Sequence, residues 1–211
     1  MSATRRHFIG FGVAVCLGVT VTGLGSLLPQ AWFPRPPRAL AGNLFTARCM
    51  RCGACVQVCP TSALALRDLS LDFRNIGVPY IQGWYGGCVA WERDGCLICA
   101  EVCPSNALDS AMELTGMRLA VVRFAEQDCI NCLGCMRRCP LSAIYFPNPE
   151  GGPSWHKGQE DKIPVALKSA NSPVKPIIDE SLCVGCALCM SHCLPRIMYL
   201  APWGKSVGGS T

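Results

Sequence analysis

Aromatic residues are scarce in this 211-residue chain, at 8%, and charged residues make up only 16%. With 21 glycines and 16 prolines as well, the composition argues against long regular helices and a large apolar core. No run of lysine and arginine offers a surface for nucleic acid. Nor does the sequence present an acid–base constellation of the kind that marks a catalytic centre. The first 41 residues hold no acid at all, only Arg5, Arg6, Arg35 and Arg38, so without them the formal charge of +5 falls to +1. Against these shortages one residue type is abundant. There are 17 cysteines, sixteen of them between Cys49 and Cys193, with Cys16 alone apart. That density leaves a disulfide scaffold or a multi-metal protein. Bound clusters would stand in for the missing core, because their thiolate bonds tie distant loops together.

The sixteen cysteines fall into four repeats. The first, ARCMRCGACVQVCPTSAL, carries Cys49, Cys52, Cys55 and Cys59, then Pro60. The third, QDCINCLGCMRRCPLSAI, carries Cys129, Cys132, Cys135 and Cys139, then Pro140. Both match C-x2-C-x2-C-x3-C-P, the bacterial ferredoxin ligand run. Two-residue gaps let a tight loop wrap three corners of an iron–sulfur cube, while the fourth cysteine points toward a neighbouring cube. The proline then turns the chain away, since it fixes φ and lacks an N–H. A short helical turn and a strand-like tail are expected after it, in SALAL, SNALD and SAIYF.

Two units depart from the pattern. The fourth, SLCVGCALCMSHCLPRIM, has Cys183, Cys186, Cys189 and Cys193, with Leu194 before its Pro195. The second has Cys88, Cys96, Cys99 and Cys103, and seven residues separate its first two cysteines. Its ending CPSNAL matches the CPxxAL of the first unit, and without Cys88 the count would fall one short of four full sets. The stretched loop therefore reads as an insertion at a fourth cluster site, with a [3Fe–4S] centre or a missing cluster left open there. A zinc site wants two CxxC pairs at one tetrahedral ion, which three consecutive cysteines at two-residue gaps fit poorly. A disulfide net gives no reason for ligand spacing followed by proline to recur. Four [4Fe–4S] clusters on the sixteen cysteines are the reading, in two ferredoxin-like α+β modules of low regular structure. Four oxidised cubanes at about −2 each would leave roughly −7 on the folded part.

The N-terminus reads as an address. Arg5-Arg6 precede Phe8 and an uncharged apolar run diluted by glycines, and Ala39-Leu40-Ala41 offers an A-x-A cleavage pattern. This resembles a twin-arginine signal, expected to form an apolar helix over residues 1–41 and to be cut after Ala41, leaving 42–211. A retained anchor is the alternative, because Phe8–Leu28 is long enough to span a bilayer. Export after folding suits thiols that would otherwise pair in an oxidising compartment.

With LFTARCMRCGACVQVCP, CPSNALDSAMELTGMRLAVV, CVGCALCMSHC and the leader in view, almost the whole chain resembles the NapG/MauM family. These are the ferredoxin-type proteins of periplasmic nitrate-reductase and methylamine-utilisation operons. The resemblance implies a non-catalytic electron carrier on the outer face of the cytoplasmic membrane, reached through the twin-arginine translocase. It implies a polytopic quinol-oxidising iron–sulfur membrane partner, and a periplasmic reductase or c-type cytochrome as acceptor. The seven-residue gap and Leu194 depart from the family pattern and leave the acceptor undecided. Alternatives are a subunit of another molybdenum oxidoreductase or methylamine-oxidation system, or an iron–sulfur maturation or sensing factor.

Three further expectations follow. Spacing leaves the pairing of units open, while the related four-cluster subunits imply nesting, with two and three inside one and four. Arg48 and Arg51 in unit one and Arg137 and Arg138 in unit three should raise potentials, whereas Glu92, Asp94 and Glu101 should make unit two the lowest. Residues 146–178, rich in Pro and Gly, read as a surface excursion with a short strand at IPVAL, where Trp155 and His156 either mark a docking patch or simply pack the loop; His192, next to Cys193, is either a donor to cluster sulfur or a plain exposed histidine.

Overall fold

The computed structural model describes residues 32–68, 75–92 and 95–203. The paired arginines, Cys16, the apolar run to Leu28 and Asp94 lie outside them. Among the described residues no helix is long and apolar enough to cross a membrane.

Regular structure is brief, as the glycine and proline content requires. The helices are α1 (Asn43–Arg48), α2 (Ala54–Gln57), α3 (Ile98–Glu101) and α4 (Gly134–Arg138). The strands are β1 (Leu64–Leu66), β2 (Pro79–Ile81), β3 (Val121–Phe124), β4 (Ile144–Tyr145), β5 (Ile177–Ile178) and β6 (Met198–Ala201). They pair as three antiparallel ribbons, β1–β2, β3–β6 and β4–β5.

The short helices correct one expectation. Each helical turn precedes the proline, lying in or beside the C-x3-C interval: α2, α3, α4 and a 3-10 turn at Met190–His192. A spacing of four residues is one helical turn, which suffices to bring the third and fourth cysteines to one side. The tails SALAL and SAIYF are strand-like as expected, forming β1 and β4, whereas SNALD forms only an isolated bridge at Leu108; the tail of unit four adds β6.

The ribbons define two modules of the same plan. In the second, β3 and β6 bracket unit three, the β4–β5 ribbon and unit four. In the first, β1–β2 lies between units one and two, and the bracket is shorter. There Ala39 bridges Leu108, Leu40 N–H donates to Ala107 O at 3.1 Å, and Asp109 N–H donates to Arg38 O at 2.9 Å. Residues that the sequence placed in the leader pack against this module: Pro36 and Pro37 are fully buried, and Ile81 N–H donates to Pro34 O at 3.0 Å.

Close backbone contacts hold each module together. Gly185 has φ +75 and lies where a Cβ would stand 2.6 Å from Ala120 N, O and Cβ. We expect Gly185→Ala to destabilise the loaded protein by about 1–3 kcal/mol through overpacking and left-handed strain. An anaerobic denaturant titration that follows loss of cluster absorbance would measure it.

The excursion is not a loose loop. Phe146 is fully buried and forms a two-hydrogen-bond bridge with Trp155, both at 2.8 Å. His156 packs its ring on Tyr145. IPVAL forms no strand; a 3-10 turn occupies Val165–Lys168, with Ile163 buried before it.

Candidate functional site

The loops that carry the cysteines share an unusual backbone. Three residues after the last cysteine of every unit, φ is left-handed: Ser62 at 52, Asn106 at 50, Ser142 at 53 and Arg196 at 53. All four units repeat the feature earlier, at Arg51, Gly95, Asn131 and Gly185, and units one, three and four do so again at Gly53, Leu133 and Ala187. Alternation of left- and right-handed residues turns successive N–H groups inward, forming an anion-binding concavity of the type that lines iron–sulfur sites. In the stretched unit Leu97, after Cys96, is right-handed at φ −111, so that unit lacks the second of the two early left-handed residues.

Folding gathers the thiols into four sets, each with three cysteines of one unit and the fourth of another. Cys49, Cys52, Cys55 and Cys103 line one cavity, here set A. Cys139, Cys183, Cys186 and Cys189 line a second, set C, and Cys129, Cys132, Cys135 and Cys193 a third, set D. Set B is Cys59, Cys88, Cys96 and Cys99. Burial pushes its Cys99 thiol up to about 11, followed by repulsion from Cys96 and Cys59, and burial pushes Cys88 up to about 12, with repulsion from Cys99, Cys186 and Cys59 adding to it. Units one and two therefore pair, and so do three and four. The nested arrangement is not what the chain adopts, because the β1–β2 and β4–β5 ribbons fold each unit back on its sequence neighbour.

The sets stand in a line. Cys55 of A feels Cys99 of B, and Cys189 of C feels Cys135 of D. Between B and C, Cys88 N–H donates to Cys186 O at 2.7 Å. Thr61 Oγ1 donates to Gly87 O at 2.8 Å on the same side. A methyl on Gly87 would fall within the backbone of Ala187 and Leu188, so only glycine lets the two modules meet.

The pockets fit an inorganic cluster. Sixteen cysteines are free thiols, and the walls are otherwise apolar side chains and backbone. Burial pushes Cys55, Cys135 and Cys186 up to about 12, with neighbouring thiols adding to it, and Cys189 well above its usual range. Thiolates packed this way need positive charge between them, which metal supplies when it displaces the protons. Among the described residues no three Cys, His, Asp or Glu side chains converge on a point fit for one ion. Sets A, C and D instead each surround a hollow, as a multi-iron cube requires. Backbone donors are in place as well: Ala63 N–H to Cys59 Sγ and Ala143 N–H to Cys139 Sγ, both at 3.3 Å.

Several residues outside the motifs serve these pockets. Lys157 Nζ donates to Cys139 O at 2.9 Å, and Lys175 Nζ to Cys129 O at 2.8 Å. Asn131, 2% exposed, reaches Leu167 O, Ser169 O and Val174 O at 3.0, 3.2 and 2.8 Å and binds the excursion to unit three. No spacing rule announces them. His192 is exposed, its Nδ1 3.1 Å from Leu188 O. Arg138 forms a bidentate ion pair with Glu92, Nη2 to Oε2 at 2.9 Å. The charges expected to set units two and three apart thus neutralise each other across the module boundary. We expect Glu92→Gln to cost under about 1 kcal/mol, falling further with added salt, since the pair is partly exposed.

Comparison with known proteins agrees with this architecture. A family model described as "4Fe-4S dicluster domain" matches residues 48–107 and 92–143. Its second match runs from unit two into unit three, whereas the fold joins three to four. The ferredoxin-type protein NapG of Escherichia coli is 28% identical over 208 residues, covering 90% of this chain and 81% of that protein. The methylamine utilization ferredoxin-type protein MauM of Methylorubrum extorquens is 27% identical, covering 99% of this chain and 96% of its own. MauM of Methylophilus methylotrophus reaches 30% identity over 82% of this chain and 76% of that protein. Likeness of this extent, on a fold that gathers its thiols by fours, makes the chain an iron–sulfur electron-transfer protein of the ferredoxin-type family that includes NapG and MauM.

Proposed function

We propose that this protein is a linear relay of four [4Fe–4S] clusters, held in sets A, B, C and D by the sixteen cysteines named above. The observation that carries the reading is the Cys88–Cys186 hydrogen bond, which abuts B and C and makes one line of two ferredoxin-like modules. Bound clusters supply one-electron redox chemistry; the chain contributes thiols, inward N–H groups and an apolar wall that excludes water. No acid, base or nucleophile is needed for that task, and the relay is a component of an oxidoreductase chain rather than an enzyme by itself.

The twin-arginine leader and the NapG and MauM relatives support a place on the outer face of the cytoplasmic membrane. There the relay accepts electrons from a polytopic quinol-oxidising iron–sulfur protein. It delivers them to a periplasmic reductase or c-type cytochrome, in a chain of the nitrate-reductase or methylamine type.

Iron and acid-labile sulfide on anaerobically purified protein test the count. About sixteen of each, with interacting [4Fe–4S] signals in the reduced form, is the expected result. About twelve of each would refute the four-cluster reading and point to the stretched unit. Reduction by a quinol-linked membrane fraction, absent with quinol alone, separates a relay from a maturation or sensing factor.

A further inference from the structure

Eight of the nine non-glycine residues with left-handed φ among the described residues lie in the cysteine units; the ninth is Arg38, at φ 62. It is also buried, at 7% exposure. Its Nε donates to Met112 O at 2.8 Å and its Nη1 to Cys96 O at 3.3 Å, while its backbone N–H meets Met117 Sδ at 3.2 Å. Among the described residues no carboxylate forms an ion pair with it. A buried cation without a counter-charge is costly, and a chain keeps one where an anion compensates it.

The anion that the fold brings to Arg38 is set B. Cys96, whose carbonyl takes the guanidinium, belongs to that set. The positive field reaches Cys99 too, where it opposes the larger upward effects of burial, Cys96 and Cys59 on the thiol. Arg38 also lies beneath the insertion, near Gly95. It therefore sits beside the segment around Cys96, where Leu97 lacks the left-handed φ that follows the second cysteine in the other three units.

We propose that Arg38 is a positioning residue of the relay, which holds the stretched loop at Cys96 and raises the reduction potential of the cluster in set B. Residues 32–41 then belong to the working protein, and any removal of the leader falls before them. The proposal rests on the four-cluster reading. Its sign follows from charge: one electron taken up adds one negative charge beside a fixed guanidinium, which favours the reduced form. Cutting after Ala41 would remove that charge. It would also strip Ala39 from Leu108 and leave Asp109 N–H without Arg38 O.

Two measurements test this. Mass spectrometry of the chain recovered from producing cells should find an N-terminus at or before Trp32; one at Gly42 overturns the proposal. Potentiometric titration with electron paramagnetic resonance then compares wild type, Arg38→Gln and Arg38→Lys, each with its iron counted. In Arg38→Gln one reduction step should move to lower potential by about 59 mV, a tenfold fall in the reduced-to-oxidised ratio, with the others unmoved. Arg38→Lys should restore most of it. Full iron with unmoved steps overturns the role of Arg38 and leaves the relay intact. About twelve iron in Arg38→Gln but about sixteen in Arg38→Lys supports it, because charge is what lysine keeps. Should neither variant load, the N-terminal mass decides; wild type with about twelve iron removes the four-cluster reading and this proposal together.

Discussion

Alanine at Cys52 and alanine at Cys103 should each abolish the same resonance, and combining them should remove no more iron than either alone. The two residues lie 51 positions apart but share set A. Each single variant is expected to lose up to about four iron, the content of one cube. Cys52→Ala with Cys59→Ala should lose about eight, although both belong to the same CxxCxxCxxxC run, because Cys59 serves set B. Cys52→Ala with Cys193→Ala should also lose about eight, since Cys193 serves set D. A nested arrangement would put Cys52 and Cys193 on one cluster, and that double variant would then lose about four. Iron analysis with reduced-state spectra of these three pairs therefore reads out the whole connectivity.

Gly87→Ala is expected to cut the relay in its middle without emptying it. The added methyl meets the backbone of Ala187 and Leu188, and backbone cannot swing aside as a flexible side chain does. Overpacking of this kind costs about 1–3 kcal/mol, and the cheapest relief is to part the modules at Cys88 and Cys186. Iron should remain near sixteen, because no thiol is lost. Transfer from one end to the other should slow by at least about tenfold, equivalent to about 1.4 kcal/mol on the barrier. Stopped-flow reduction at several wavelengths would show half the clusters reducing at the wild-type rate and half lagging. Uniform reduction at the wild-type rate would mean that electrons do not pass through this contact.

Much of this was legible in the amino-acid sequence because cluster binding is local chemistry. Three cysteines at two-residue gaps followed by proline specify a loop, and the tails after Cys59 and Cys139 announce strands by their apolar content. The partner of each fourth cysteine was not legible. It depends on which way the ribbons fold back, and Leu64 facing Ile81 or Ile144 facing Ile178 leaves no mark in the spacing. Lys157, Lys175 and Asn131 escaped for a related reason: they act over 18 to 46 positions of separation, through backbone carbonyls that any residue could offer. Arg38 was read with the leader on a composition signal. A proline–arginine stretch after an apolar run looks like the end of a leader, and no spacing announces the Ala39–Leu108 bridge or the Asp109 N–H that donates to Arg38 O.

The meeting of Cys88 with Cys186 has one more consequence. Units two and four are corresponding parts of the two modules, so the duplicated halves touch through like surfaces, as the subunits of a two-fold dimer do. An electron entering from set A or from set D would then encounter the same succession of motif-one-type and motif-two-type sites. The doubled frame has no arrow of its own. Polarity comes from what was added to one half and not the other: a buried arginine beside unit two, and a lysine-bearing wrap over unit three.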